Sequence, residues 1–362
     1  MLQAVVSDFL ALPDLTVTTF LGAGVPNCLP RGPSLTTIPI WSEQDLLQTL
    51  RQTAAAVDAV LLVAPESGGI LELLLRTVEH LHPCDRPRPS GTLPVLLNLD
   101  DQRTRWFTDK LATWQWLSAH GLPTIPTRLI DRGVAEILLR SQDGGRHGDS
   151  AQDSRGTPAV VIKPRDGAGS DGVRIVRDSR VRWQDLPDGA ANAPLIAQPF
   201  VSGQACSFGL IGGDETEETT ILPAAEQCLD CDGTSLQYRG GVVPAAPRVC
   251  EVVEKLARRM SSAVGGFRGY LGVDVIMDEA LPEQVVIVEV NPRLCTSFVG
   301  YRALSSENLA ARLLGLPSAR HRPARWNSGK VSFDVSGGIT PHSETLSATP
   351  GQGVRGSHGP TL

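Results

Sequence analysis

The chain has 362 residues, 41% of them hydrophobic, and a formal net charge of −6. That is enough chain for two or three domains with a sizeable core, and the acidic balance argues against a nucleic-acid partner. No apolar run reaches the ~20 residues that a membrane helix needs, and Met1–Leu12 lacks the basic start and cleavage site of a signal peptide.

Leu2, Val5, Val6, Phe9 and Leu10 recur at helical spacing, so residues 1–12 read as a helix. A strand follows at Leu15–Phe20, then a Gly/Pro-rich loop, a helix at Ser42–Val57, a buried strand at Ala59–Val63, a helix at Gly69–His80 and a buried strand at Pro94–Leu97. Strands alternating with helices predict a small α/β domain with a parallel sheet over residues 1–100. Thr104–His120 reads as one helix with Phe107, Leu111, Trp114 and Leu117 on one face, closed by Gly121 and Pro123. Trp106 and Trp116 fall off that face, where core packing is their expected role. Residues 141–157 are rich in Gly, Asp and Ser, and read as a flexible loop.

Ala159–Val176 is apolar strand, lysine, glycine loop, apolar strand. Backbone N–H groups from Gly167 to Gly172 can approach phosphate oxygens that a Cβ would push away. Lys163 supplies a point charge at the base of the hairpin. The loop matches G-x-G-x-x-G, but Val173–Val176 continues as a strand, whereas a dinucleotide site needs a helix there. The kinase glycine loop has its lysine downstream, and neither H-R-D nor D-F-G occurs in the chain. The bland reading is a glycine-rich surface hairpin without a ligand.

Two apolar runs flank a polar turn at Asp278–Gln284, which predicts a second hairpin. Asp274 interrupts the first run; Glu289 and Asn291 interrupt the end of the second. Residues two apart on a strand face one way, so Glu289 and Asn291 project together and a neighbouring strand brings Asp274 beside them. Three oxygen side chains suit Mg²⁺, which keeps waters and takes phosphate oxygens. Pro292 stops the strand and Arg293 points into the same site. A structural role for all of them is the alternative, though buried acids without a partner are costly.

The seven cysteines show no framework spacing, and Cys228–Cys231 is a lone C-x-x-C, read here as a turn. Reduced thiols in a cytoplasmic protein are the simpler account. The Arg239-Gly-Gly run either closes over substrate or is a turn. Lys330–Val335 suggests one more strand, and residues 317–362 otherwise read as a linker and disordered tail.

Together these segments, over roughly residues 90–315, resemble the ATP-grasp superfamily. The resemblance implies an α/β fold of the α+β ATP-grasp type: a parallel pre-ATP-grasp domain at 1–100, a lid at 101–198, and an antiparallel-sheet catalytic domain at 199–316, with ATP between the last two. Relatives open with a strand ahead of the first helix, so the sheet is expected to lack that strand or the true start to lie upstream. By the same resemblance Lys110 and Lys163 match the two ATP-contacting lysines. Gly167, Ala168, Gly169, Ser170 and Gly172 match the mobile phosphate loop. Gln198, Pro199, Phe200, Val201 and Gln204 match the adenine hinge, with Gln198 and Gln204 standing where relatives carry acids. Asp274, Glu289 and Asn291 match the metal ligands for Mg²⁺ or Mn²⁺, and Arg293 the arginine on the transferred phosphoryl group.

The implied reaction joins small-molecule carboxylate and amine substrates through an acyl phosphate, in an enzyme expected as a homodimer. Thr296, Ser297, Tyr301 and Arg302 directly follow the metal strand and are expected at the substrate, Arg302 on a second carboxylate. The run from Asn291 to Arg302 is similar to a subgroup containing tyramine–glutamate ligase, which implies glutamate as donor, an aryl-alkyl amine as acceptor and a role in cofactor biosynthesis. The alternative is a nucleotide-binding regulatory protein that kept the fold without the activity.

Overall fold

The computed structural model describes residues 1–81, 93–130, 159–167, 169–170, 172–176, 194–213, 215–232, 235–278 and 284–342, together with the backbone of 136–138 and 180–182. The loop expected at 141–157 and the tail beyond residue 342 lie outside them. No helix among the described residues is long and apolar enough to cross a membrane.

The chain opens with α1 (Leu2–Leu10), which buries Val5, Val6 and Phe9. β1 (Val17–Gly22) pairs in parallel with β2 (Leu35–Ile40). β2 lies in what reads as a Gly/Pro-rich loop, and Pro39 is tolerated because, among the described residues, the strand pairs with β1 alone. α2 (Glu43–Ala54) starts at Ser42, whose side chain accepts from Asp45 N. β3 (Ala59–Val60) pairs in parallel with β4 (Val95–Leu96). Between them a tight turn at Ser67–Gly69 leads into α3 (Ile70–Glu79), which buries Leu71, Leu75 and Val78 against Leu50 and Ala54.

The single helix expected at Thr104–His120 is two, α4 (Asp101–Thr108) and α5 (Lys110–Ala119). Asp109 divides them. Its backbone is extended and its side chain accepts from Leu111 N and Ala112 N, so it ends one helix and caps the next. Trp116 stacks between Trp106 and His120, at 5.9 and 4.1 Å between ring centroids.

The segment expected to form the lid holds β5 (Arg128–Ile130), β6 (Glu136–Leu138), β7 (Val160–Pro164), β8 (Arg174–Val176), β9 (Arg180–Arg182) and β10 (Leu195–Pro199). Its antiparallel sheet runs β5-β10-β7-β8 over a small core of Ile130, Ile162, Leu195 and Ala197, and β6 pairs with β9.

The largest sheet is built from β11 (Gln204–Ile211), β12 (Thr220–Ile221), β13 (Ala225–Cys231), β14 (Leu236–Val243), β15 (Tyr270–Met277) and β16 (Val285–Asn291). It is completed by β17 (Lys330–Asp334) and β18 (Ile339–His342), in the antiparallel order β16-β15-β11-β13-β14-β17-β18 with β12 on β11. Two expectations are corrected here. Ile339–His342, expected in the tail, is a strand, and β17 pairs with β14, because Phe333 fills the space left by Gly241 and Gly300. Cys228 and Cys231 lie exposed along β13 rather than in a turn; the reversal follows them, with Asp232 accepting from Ser235.

α6 (Pro247–Val264) covers one face of this sheet with Val253, Leu256, Ala257 and Met260. α7 (Ser297–Leu304) and α8 (Leu309–Leu313) join α1 in a second core containing Phe298, Tyr301, Leu309 and Val5. On β15, Leu271, Val273, Val275 and Met277 belong to the α6 core, so by alternation Asp274 turns to the other face.

Candidate active site

Strict alternation on β16 would bury Glu289. Val285 and Ile287 face the α6 core, and residue 289 would follow them. The pairing shifts instead: Val275 opposes Ile287, but Asp274 opposes Glu289, so β16 holds one extra residue at Val288. The bulge returns Val290 to the core and leaves Glu289 and Asn291 beside the cavity. The sequence reading placed these two together; the bulge is what directs them outward.

Glu289 is met by two lysines. Lys110 Nζ, from the first turn of α5, lies 3.1 Å from Oε1, and Lys163 Nζ, from β7, 3.8 Å from Oε2. Lys110 also donates to the Gly167 carbonyl at 2.6 Å. Burial works to raise the Glu289 pKa, but the two ammonium groups override it and hold the carboxyl below its usual range. Burial pushes the Lys163 ammonium down against the pull of Glu289.

Among the described residues, no lysine or arginine forms an ion pair with Asp274. Gln227 Nε2 donates to Oδ1 at 2.8 Å and Asn291 Nδ2 to Oδ2 at 3.0 Å. Burial, reinforced by the Glu289 charge, pushes its carboxyl up to about 7. Gln227 is not singled out as a site residue by the sequence; it stands beside Glu226 in the run 222–227 that leads into the Cys228–Cys231 pair.

Arg293 is held from the N-terminal domain. Its Nε donates to Glu66 Oε2 at 2.7 Å, and its NH1 to the Leu294 carbonyl at 3.2 Å. Glu66 is 3% exposed and was missed, since nothing local in the sequence links it to a residue so distant. Asp109 takes a bidentate pair from Arg165, and Lys110 N donates to the Arg165 carbonyl at 3.0 Å, so α5 is fastened to the lid.

One cavity of about 260 Å³ unites these groups. Lys163, Gly169 and Ser170 line it from the lid, and Asp274, Glu289, Asn291 and Arg293 from the large sheet. Gly169 and Gly172 both have φ +69°, a backbone open to glycine and strained for most other residues. Gly167 meets the site through its carbonyl, and Ala168 lies outside the described residues. Pro199, Phe200 and Val201 line the cavity. Gln198 lines it too, but its amide donates to Thr127 Oγ1 at 2.9 Å; Gln204 is not among the lining residues.

The expected substrate residues divide. Thr296 and Ser297 line the cavity. Tyr301 is fully buried in the α7 core near Trp326, away from the lining. Arg302, expected on a second substrate carboxylate, instead clasps Asp8 of α1 through Nε at 3.0 Å and NH2 at 2.6 Å. Arg239 lies exposed and donates to Asp230 at 2.7 Å. Leu229, Leu236 and Tyr238 form an apolar part of the wall that the sequence reading had not named.

Among the described residues no group of three or more His, Cys, Asp or Glu side chains could hold a metal ion. A cation here would rest on carboxylate oxygens of Asp274 and Glu289 and the amide oxygen of Asn291. That donor set fits Mg²⁺, which is reluctant to dehydrate and uses one or two carboxylates plus phosphate oxygens. Burial first, and the facing Glu289 charge second, raise the Asp274 carboxyl beyond what the two amides offset.

A family model described as the ATP-grasp domain matches residues 107–297, and one described as the pre ATP-grasp 3 domain matches residues 17–83. The chain is 30% identical over 143 residues to tyramine–L-glutamate ligase of Methanocaldococcus fervens, a match spanning 40% of this chain and 42% of that relative. It is 26% identical over 296 residues to D-alanine–D-alanine ligase of Azorhizobium caulinodans, covering 77% of this chain and 84% of the other. The crystal structure of L-amino acid ligase from Bacillus licheniformis shares the fold, with TM-score 0.60 and 16% identity over 90% of this chain and 74% of that one.

Proposed function

Because the chain belongs to the ATP-grasp family, we propose that it is an ATP- and Mg²⁺-dependent carboxylate–amine ligase that forms an amide through an acyl phosphate. The observation carrying this reading is the shared cavity, where Lys163 and the glycine hairpin face Asp274, Glu289, Asn291 and Arg293.

The triphosphate lies between lid and sheet. Its oxygens compete with Glu289 for Lys110 and Lys163, and the loop N–H groups add dipoles without a side chain in the way. Mg²⁺ or Mn²⁺, when held by Asp274, Glu289 and Asn291, offsets negative charge on the phosphates. A carboxylate oxygen of the donor attacks the γ-phosphorus, the bond to the β-phosphate oxygen breaks, and ADP leaves. Arg293 stabilises the charge on the equatorial oxygens during transfer. The amine then attacks the acyl carbon, phosphate departs, and the ammonium proton passes to it. The lid keeps water from the acyl phosphate.

For substrates, the resemblance to tyramine–L-glutamate ligase supports glutamate and an aryl-alkyl amine, and hence a role in cofactor biosynthesis. The apolar wall of Leu229, Leu236 and Tyr238 suits an aryl group. Arg302 no longer argues for a second carboxylate, because Asp8 occupies it. Reduced cysteines favour action in the cytoplasm, and a homodimer is the proposed assembly. Phosphate release is the assay: glutamate plus tyramine should exceed every other acid–amine pair in a panel, and silence with that pair would remove the substrate assignment.

A second reading, a nucleotide binder without ligase activity, draws on the hinge, where Gln198 donates to Thr127 and the run 198–204 contains no Asp or Glu. Glu289→Gln separates the two. A ligase should lose about 100-fold or more in turnover, the usual size of a preorganised electrostatic contribution; a mere binder should change only modestly in ATP affinity.

A further inference from the structure

Arg293 extends from the end of β16, yet the residue fixing its orientation belongs to another domain. Glu66 lies just ahead of the Ser67–Gly69 turn, and its side chain is 4% exposed against 15% for Arg293. Gly68 and Gly69 have φ +65° and +69°, and a Cβ at either would meet nothing within 4 Å. The glycines therefore serve the backbone path, a left-handed pair that turns the chain back. Glu66 O accepts from Gly69 N at 3.1 Å, which closes the turn. Gly68 N donates to Asp166 Oδ2 at 3.2 Å, so the same turn touches the residue beside the glycine loop of the lid.

The guanidinium has five N–H donors. Glu66 takes the one on Nε and the Leu294 carbonyl takes one on NH1. Both of these acceptors hold the group from protein, while Arg293 still lines the cavity. A buried guanidinium without a carboxylate is costly, and a carboxylate on the Nε edge sets the plane of the fork.

We propose that Glu66 is the positioning residue for Arg293: it fixes the guanidinium so that the donors left without a partner among the described residues meet the terminal phosphate of a bound nucleoside triphosphate. This rests on the proposed ATP site. Glu66 touches no reacting atom and acts through Arg293 alone. It follows that the N-terminal domain contributes to the preference for a triphosphate over a diphosphate.

The test is calorimetric titration of Mg·ATP and Mg·ADP into the full chain and its Glu66→Ala, Glu66→Gln, Arg293→Ala and Glu66→Ala/Arg293→Ala forms. Glu66→Ala should weaken ATP about 10-fold, the size of one hydrogen bond to a charged group, and leave ADP within about twofold, as expected for a site that contacts only the terminal phosphate. Arg293→Ala should show the same loss, and the double variant no further loss, because the two residues act as one unit. If Glu66→Ala fails to fold, the isosteric Glu66→Gln carries the comparison, with a smaller ATP-selective loss. ATP and ADP affinities that stay at the parent values in both Glu66 variants would overturn the proposal, as would equal losses for both nucleotides. A parent protein that binds neither nucleotide would instead sink the ATP site itself.

Discussion

The cavity has a lysine side and an amide side, and the two carboxylates that face each other across β15 and β16 differ because of them. Glu289 lies between Lys110 and Lys163 and stays ionised below its usual range. Among the described residues, Asp274 receives hydrogen bonds from the Gln227 and Asn291 amides alone, and burial, reinforced by the Glu289 charge, raises its carboxyl to about 7. Amide dipoles stabilise a carboxylate less than a full charge does. The contrast assigns different needs to the two acids. Glu289 is already neutralised and must exchange its cations for another, whereas Asp274 is the side where positive charge is still wanting.

The strongest way to break this contrast is Lys163→Ala. Glu289 then keeps Lys110 alone, and the hairpin loses its phosphate contact. ATP affinity should fall about 100-fold, near the upper range for a hydrogen bond to a charged group, read by titration calorimetry.

Asp274→Asn sharpens the same contrast in the opposite sense. The folded pKa of Asp274 is raised above its unfolded value of 3.8, so the unfolded chain ionises first. The burden on folding is absent below pH ~4, grows between ~4 and ~7, and persists above. In chelator-treated samples Asp274→Asn should therefore melt above the parent at pH 8, with the gap closing toward pH 4. Added Mg²⁺ should raise the parent melting temperature and not that of the variant. A gap that is constant with pH would refute the uncompensated carboxylate.

The smallest effect is expected away from the cavity. Arg302→Ala breaks the Asp8 clasp, whose two side chains are 28% and 12% exposed. A loss of about 1 kcal/mol should lower the melting temperature by a few degrees, with KM for an acidic donor unchanged. A large rise in that KM would return Arg302 to the substrate.

Legibility in the sequence followed the range of the interaction. The two hairpins were visible because each is local: Lys163 lies four residues before its glycines, and Glu289 two before Asn291. Lys110 was legible from the resemblance, although the helix break that aims it was not. Asp109 did carry the signal, an N-cap residue type, but unbroken apolar spacing on both sides concealed it. Glu66 was out of reach: it meets Arg293 across 227 positions, and no periodicity relates residues so far apart. Arg302 shows the converse. Its place in the run from Asn291 suggested a ligand, yet tertiary packing of α1 against α7 had supplied Asp8.

β17 has a practical consequence for anyone shortening the protein. The family match ends at residue 297, which makes a stop near residue 316 tempting. Such a cut would strip β17 from β14 and leave the backbone of Gly240–Val243 without its partner. It would also empty the space that Phe333 fills beside Gly241 and Gly300. A bared strand edge of that kind recruits other chains, so the truncated protein should precipitate during expression, whereas one ending after His342 should not.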